Sequence, residues 1–424
     1  MKKLTFLLLV LISTIVHAQD DSSEKFFEEP ANAKLELSGS FDVDYSVFWS
    51  RKESLLYQLQ YHNQNLSDIL TSYPFEFYLN GDYQTKDIGV HIKTYFAYTP
   101  NNLTDFSLFE LYGNLSLFNS SYLLLGKKMY SWGKGYAFNP VGYVNPKKDP
   151  EKPELANAGV VSISFEYSKS FQSNWIQNFA FDLIILPSQN ILNNMPSEME
   201  NTALAARLYF LLWDTDVDVM SYYYGNTNTA NIGMDFSRNI IPSIEIHGEL
   251  SFFNNQPRYI ISGGALMPQN IDGTSYLLGL RWLNRWNITT ILEYYHNDAG
   301  LKATEYGDYS TFLSDAVASN DSGMISDALN VSKTYFSGSA LMQDYLYLKI
   351  SWPEPFNLVD SAASAFVIYN INDSSLSIGI PLEYKPITNL GILFQPTFLI
   401  GNNGSEFGSK QYLGRMEIQA SFYF

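Results

Sequence analysis

Residues 410 to 424 alternate between two chemistries. Tyr412, Gly414, Met416, Ile418, Ala420, Phe422 and Phe424 share one face of an extended chain, and Leu413, Arg415, Glu417, Gln419, Ser421 and Tyr423 share the other. A period of two is that of a β-strand with one apolar and one wet face. The pattern recurs along the chain. Leu35 to Trp49 alternates with Glu36, Ser38, Ser40, Asp42, Asp44 and Ser46. Further alternating stretches lie near Tyr73–Asp82, Val90–Phe96, Phe109–Leu117 and Tyr122–Lys128. After a long interruption they resume near Val161–Tyr167, Phe179–Ile185, Leu204–Leu212, Val217–Tyr223, Ile232–Phe236 and Ile244–Phe252. The last ones are Tyr276–Trp282, Ile288–Tyr294, Leu346–Ile350, Ala362–Asn370, Leu376–Leu382 and Leu390–Phe398. With the terminal stretch this makes eighteen strands; sixteen is the alternative, because those near Tyr122 and Ala362 are weak. Pro257 to Met267 reads as a loop, and His296 to Met342 as a long polar connection.

Short and long connections alternate, and an even strand count puts both chain ends on one side. The apolar face is continuous, so a soluble sandwich would need a second sheet to cover it. The pattern therefore predicts an all-β fold: a single antiparallel up-and-down β-barrel over 35–424 whose outer face meets lipid. Barrels of sixteen to eighteen strands enclose a water-filled lumen.

The N-terminal region predicts export. Lys2 and Lys3 precede the apolar run Leu4–Val16, and Val16-His17-Ala18 is a small-residue cleavage site, so 1–18 reads as a secretory signal peptide. The acidic stretch 19–34 reads as a periplasmic tail, too short for a plug domain. Composition agrees with a barrel: 16% aromatic residues, with 31 Tyr and 29 Phe. There is no Cys, so no disulfide or thiolate metal site can form. The formal charge is −17. Loss of Lys2 and Lys3 with the leader takes 26 basic residues to 24 against 43 acidic ones, or −19. Such a chain lacks the basic surface that nucleic acid requires.

If the apolar face meets lipid, the alternate face lines the lumen. That wall holds Asp42, Asp44, Glu76, Glu110 and Glu166, with Glu36, Asp82, Asp182, Asp218, Asp235, Glu245, Glu249, Glu293, Glu383 and Glu417. Its bases are Lys93, Arg207, Arg281, Lys349 and Arg415. Fifteen acids against five bases predict an attraction for cations, unless cross-strand pairing cancels the field.

The interruption between the fifth and sixth strands is distinctive. It runs Lys127-Lys128-Met129-Tyr130-Ser131-Trp132-Gly133-Lys134-Gly135, then Asn139-Pro140 and Asn145-Pro146-Lys147-Lys148-Asp149-Pro150. Its prolines stiffen it, since each fixes φ and restricts the residue before it. Its lysines make it basic inside an acidic protein. A stiff loop at this place is expected to fold into the lumen as a constriction bearing Lys127, Lys128, Trp132, Lys134, Asn139, Asn145 and Asp149.

Two segments resemble known families. The strand ending at Phe424 resembles the terminal strand of bacterial outer-membrane barrels, which closes the barrel and implies recognition by the barrel assembly machinery. The Trp-Gly, Asn-Pro and Asn-Pro-x-x-Asp run resembles that of Gram-negative porin-like families, including the alginate-export type. That resemblance places Lys127, Trp132, Asn139, Asn145 and Asp149 near the pore constriction. The wall departs from the alginate-export pattern, which is lined by arginine and lysine.

Enzymatic motifs are sparse. Past the leader the histidines are His62, His91, His247 and His296, none at metal-ligand spacing, and no Gly-x-Ser-x-Gly elbow is present. The sequence therefore predicts a non-enzymatic outer-membrane channel, without cofactor, for passive diffusion of small polar solutes or ions. The alternative is a plugged barrel that works through its external loops as receptor, adhesin or assembly component. The apolar outer face leaves homo-oligomerisation open.

Overall fold

The computed structural model describes residues 34–424 except 65, 101, 119, 188–200 and 337–339. The expected leader lies outside the described residues, as does the expected tail up to residue 33. Eighteen antiparallel strands close into one barrel. They are β1 (Lys34–Ser50), β2 (Ile69–Ser72 and Phe75–Gln84), β3 (Ile88–Thr99), β4 (Asn102–Phe118), β5 (Ser121–Lys128) and β6 (Val160–Ser170). Then come β7 (Ile176–Leu186), β8 (Ala203–Leu212), β9 (Thr215–Tyr224), β10 (Thr229–Ile241), β11 (Ile244–Ser262) and β12 (Ala265–Leu283). The last six are β13 (Thr289–Asn297), β14 (Asp344–Pro353), β15 (Ser361–Asn370), β16 (Leu376–Gly379 and Leu382–Ile387), β17 (Leu390–Ile400) and β18 (Tyr412–Tyr423). The breaks in β2 and β16 fall at Pro74 and Pro381. Proline offers no N–H to the ladder.

The barrel closes where β1 meets β18, with Phe41 opposite Phe422 and Tyr45 opposite Ile418. Gly39 and Phe424 exchange backbone hydrogen bonds of 3.0 and 3.1 Å. The Phe424 ring stacks on Phe77 over Gly39, where a Cβ would lie 2.5 Å from that ring. The terminal aromatic is thus packed on the closure seam.

Apolar side chains stand on the outer face, among them Leu125, Ile232, Leu278 and Ile418. Trp175, Trp213, Trp282 and Trp286 ring the end at which Lys34 and Phe424 lie. This is the aromatic girdle of a membrane barrel. Leu278 lies in the membrane-facing part of β12 and is 59% exposed. Leu278→Arg is expected to cost about 2–4 kcal/mol, read as a lower unfolding midpoint in lipid vesicles; an unchanged midpoint would contradict the lipid assignment.

At two of the bulges in the ladder the expected facing is reversed. In β4 the register passes from Lys93 opposite Glu110 to Thr94 opposite Leu108. Phe109, expected on the lipid face, is turned inward and stacks on Tyr95 at 4.9 Å. In β18 the register passes from Gly414 opposite Trp49 to Tyr412 opposite Ser50, which leaves Leu413 as the extra residue. Tyr412 therefore faces the lumen and packs on Phe48 at 5.4 Å. An extra residue in one strand reverses the facing of its neighbours.

Two expected loops also have more structure than the polar pattern suggested. Pro257–Met267 is ladder, not loop: β11 and β12 pair through Tyr259 opposite Pro268 and turn at Gly263-Gly264, both with positive φ. The connection after β13 holds helices α2 (Ala303–Ser319) and α3 (Ser322–Tyr335), and α1 (Leu55–Gln60) follows β1. Asp321 caps α3 through Gly323 N–H and Met324 N–H, both at 2.9 Å. Tyr306, Tyr309, Leu313 and Ala316 recur at helical spacing on one face of α2 and are buried against Leu56, Leu59 and Ile325. Arg258 of β11 holds Glu305 of α2 by two hydrogen bonds, of 3.1 and 2.7 Å. The helices form a packed lid at the barrel end opposite Lys34 and Phe424.

Candidate functional site

Residues 129–159, between β5 and β6, cross the lumen. The loop leaves β5 with Met129 N–H donating to Glu110 at 3.0 Å. It then folds on itself. The Asn145 amide accepts from Trp132 N–H at 2.8 Å and donates to Trp132 C=O at 2.6 Å. Gly133, with φ +96°, turns the chain between them. The apolar side chains Trp132, Ala137, Phe138, Val141 and Val144 are buried. Phe138 stacks on Tyr295 at 4.5 Å, and Trp132, Val141 and Val144 pack against Ile184, Ala205 and Met220 of the wall.

Two wall carboxylates anchor the far side of this turn. Glu249 of β11 accepts from Lys134 N–H at 2.7 Å, Gly135 N–H at 2.6 Å and Val141 N–H at 3.2 Å, and from the Asn139 amide at 3.0 Å. Glu293 of β13 accepts from Tyr136 N–H and from Ala137 N–H at 2.9 Å, with His247 Nε2 at 3.0 Å. Both carboxylates are buried. A cluster of backbone N–H groups is a site for an anion, and here the wall supplies that anion itself. Gly133→Ala would put a Cβ 2.7 Å from Glu249 Oε1 and from Asn139 Nδ2, at a φ that disfavours L side chains. This substitution is expected to loosen the loop and raise ion conductance; wild-type conductance would contradict the tight docking.

Ion pairs complete the crossing. Lys128 meets Glu166 at 2.6 Å, Lys134 meets Asp218 at 3.0 Å and Lys152 meets Glu417. Glu151 takes Arg415 at 3.0 Å and the Ser377 hydroxyl at 2.7 Å. Tyr136 and Glu154 both contact Lys349. Burial pulls the Lys134 ammonium down, but Asp218 and Asp235 outweigh it and hold its pKa above the usual lysine range. At Lys148 burial outweighs the pull of Glu249 and Glu293 and holds the ammonium low; it donates to Gly135 C=O at 2.8 Å. The Tyr136 hydroxyl keeps the Glu154 carboxyl low.

The residues singled out in the sequence separate into three groups. Lys128, Trp132, Lys134, Asn139, Asn145 and Asp149 lie on or at the root of the crossing loop; Lys128 also covers Tyr130 and Tyr112. Lys127 does not belong with them. It stands opposite Leu111 and Val161, on the outward parity of β5, because only alternate residues of a strand face inward. The wall residues Asp42, Asp44, Glu76, Lys93, Glu110, Glu166, Arg207, Arg281 and Arg415 occupy inward register positions. Much of the wall charge is paired: Arg207 with Asp182 at 2.7 Å, Arg281 with Glu245 at 3.5 Å, Arg415 with Glu151. Glu76 accepts from Tyr78 and Tyr95 hydroxyls at 3.1 and 3.0 Å. Asp44 Oδ1 is buried without a hydrogen bond among the described residues.

Sequence reasoning missed the apolar side of the loop and the anchoring role of Glu249 and Glu293. Phe138, Val141 and Val144 carried a signal, since apolar residues seldom interrupt an exposed polar loop without burial. The two glutamates looked like any other wall acid.

No family model matches the chain, and no curated protein matches it in sequence. Solved structures do. OccK11 (OpdR) of Pseudomonas aeruginosa matches with a TM-score of 0.55 at 11% identity, over 92% of this chain and 96% of that one. OccK2 (OpdF) of the same organism, solved with glucuronate, matches with 0.54 at 10% identity over 92% and 98%. Wzi of Escherichia coli, a carbohydrate-binding β-barrel involved in group 1 capsule assembly, matches with 0.54 at 11% identity over 91% and 84%. The chain has the fold of outer-membrane porin-like barrels. At these identities the likeness concerns the fold.

Proposed function

We propose that the protein is an outer-membrane channel of the porin kind, narrowed by its own loop, through which small polar solutes or ions diffuse passively. The observation that carries this reading is the crossing loop: it divides a charged lumen and is anchored on both sides. Selection then follows from the width left around the loop and from wall charge. The acids left without an ion pair among the described residues, Asp42 among them, favour cations. No covalent chemistry is required. Export by a cleaved leader, and insertion through the strand ending at Phe424, belong to the same reading.

A second reading rests on the lid. Tyr309, Leu313, Ala316 and Ala328 are almost fully buried between the helices, as in a domain core. A lid that stays shut makes the barrel a non-conducting one acting through its outer loops. Planar-bilayer recording on folded protein separates the two. Small, steady steps with cation selectivity are expected. Silence from correctly folded protein would overturn the channel reading and favour the lidded one.

A further inference from the structure

At the tryptophan rim, the turn between β10 and β11 and the turn between β12 and β13 bound an open hollow of about 530 Å³. We propose that this hollow seats the phosphate head of one phospholipid of net negative charge. Arg285, the Ser243 hydroxyl and the Asn284 amide nitrogen hold the phosphate. Trp282, Leu283 and Trp286 meet the glycerol and the first carbons of the chains.

The turn that carries Arg285 is held in one shape. Asn284 Oδ1 accepts from Trp286 N–H at 2.8 Å and from Ile288 N–H at 3.0 Å. Asn284 N–H donates to Ile288 C=O at 2.9 Å, and Asn287 turns the chain at φ +60°. An asparagine that closes on the following backbone fixes such a turn. Leu283 N–H donates to Ser243 C=O at 2.8 Å and ties the two turns together.

The polar side-chain groups that remain in the hollow can all donate. The Asn284 oxygen is used within the turn, so its nitrogen is left. Neither that nitrogen nor the Ser243 hydroxyl makes a hydrogen bond among the described residues. Arg285 has no ion-pair partner and no hydrogen-bond acceptor among them. Its guanidinium lies 4.4 Å from the centre of the Trp286 ring. The ring covers one face of the guanidinium and leaves its N–H edges for a pair of acceptor oxygens. Among the described residues no Asp or Glu lines the hollow. A head group that carries its own ammonium finds no anion here, whereas an uncompensated phosphate finds three donors.

The position selects a lipid over a dissolved phosphate. Trp282 faces outward, opposite Ile244 and Thr290, and is 46% exposed; Trp286 is 61% exposed. Indole rings on the outside of a barrel at this height mark the border between hydrocarbon and head groups. Leu280 and Leu292 pair one step further into the apolar band and are exposed. Chains that descend from a phosphate at Arg285 run along them. Inorganic phosphate has nothing to cover that apolar surface.

The inference rests on the membrane-barrel reading, not on conduction. Folded protein in neutral detergent is titrated by native mass spectrometry with a phosphatidylglycerol and with a phosphatidylcholine of the same chains. The first phosphatidylglycerol is expected to bind roughly fivefold more tightly than the phosphatidylcholine. Arg285→Gln is expected to abolish that preference. Arg238→Gln is expected to keep it, since Arg238 lies on the same rim but beside Thr215. If Arg285→Gln lacks the heat-modifiable gel shift of a folded barrel, Trp286→Ala replaces it and is expected to weaken phosphatidylglycerol. Equal affinity for the two lipids, or a full preference in Arg285→Gln or its replacement, would overturn the proposal. So would an equal loss in Arg238→Gln, which means diffuse attraction to the rim, or displacement of the lipid by inorganic phosphate. A barrel that is silent in planar bilayers but keeps the lipid preference would remove the channel reading and leave this one standing.

Discussion

Glu249→Ala is expected to free the crossing loop and raise single-channel conductance several-fold. The substitution removes the shared acceptor of Lys134 N–H, Gly135 N–H, Val141 N–H and the Asn139 amide. A buried donor left without a partner costs about 1–3 kcal/mol. These costs are not additive, and the neighbouring Lys134–Asp218 pair holds one lysine of the loop without replacing the acceptor that these four donors lose. Glu249→Gln offers one acceptor oxygen and opposes the remaining donors with an amide, so an intermediate conductance is expected. Trypsin provides an independent reading. Lys134, Lys147 and Lys148 lie in the loop and none precedes a proline, and cleavage there should rise in the alanine variant. Wild-type conductance together with wild-type protease resistance would show that the apolar contacts of Trp132, Phe138 and Val141 hold the loop without the carboxylate.

The second large effect belongs to Arg51, at the top of the closure seam. Its guanidinium donates to Phe407 C=O at 2.7 Å, Gly408 C=O at 2.6 Å and Leu399 C=O, and the residue is 4% exposed. It thereby joins the connection after β1 to the one before β18. The partners are carbonyls rather than carboxylates, and burial pulls the guanidinium pKa down. Hydrogen bonds to a charged group are worth about 1.5–3 kcal/mol each. Arg51→Ala would leave three carbonyls short of donors and is expected to destabilise the barrel by roughly 3 kcal/mol or more. The measurement is the temperature at which the folded band is lost on a heat-modifiability gel. Arg51→Lys is expected to fall between, because a single ammonium lacks the planar fork that spans three acceptors. An unchanged transition in Arg51→Ala would mean that the strand ladder alone holds the seam.

Much of the architecture was legible from local pattern. The period-two alternation marks all eighteen strands, because a strand between lipid and water must alternate wherever it is regular. The weak stretches near Tyr122 and Ala362 are strands too. Lys34–Ser50 and Tyr412–Tyr423 pair as a closing seam. Errors fell where pairing, not periodicity, decides facing. Phe109 and Tyr412 are turned inward by one extra residue each, and a bulge depends on the partner strand. Pro257–Met267 looked like a loop because its side chains do not alternate, yet its backbone pairs beyond the barrel rim.

By itself the sequence determined the fold class, a strand count of eighteen or sixteen, the inward position of Asp42, Glu76 and Arg207, and the loop most suited to enter the lumen. Those follow from side-chain periodicity and proline stiffness, which act within a few residues. Only the tertiary structure decided what the loop touches. Glu249 meets Gly135 across 114 positions of chain, and Lys152 meets Glu417 across 265. Such contacts depend on barrel closure, which brings distant strands around one lumen. Tertiary structure likewise decided that the polar stretch after β13 folds into a lid, since the stripe of Tyr306, Tyr309 and Leu313 has no use until α1, α3 and the barrel mouth bury it.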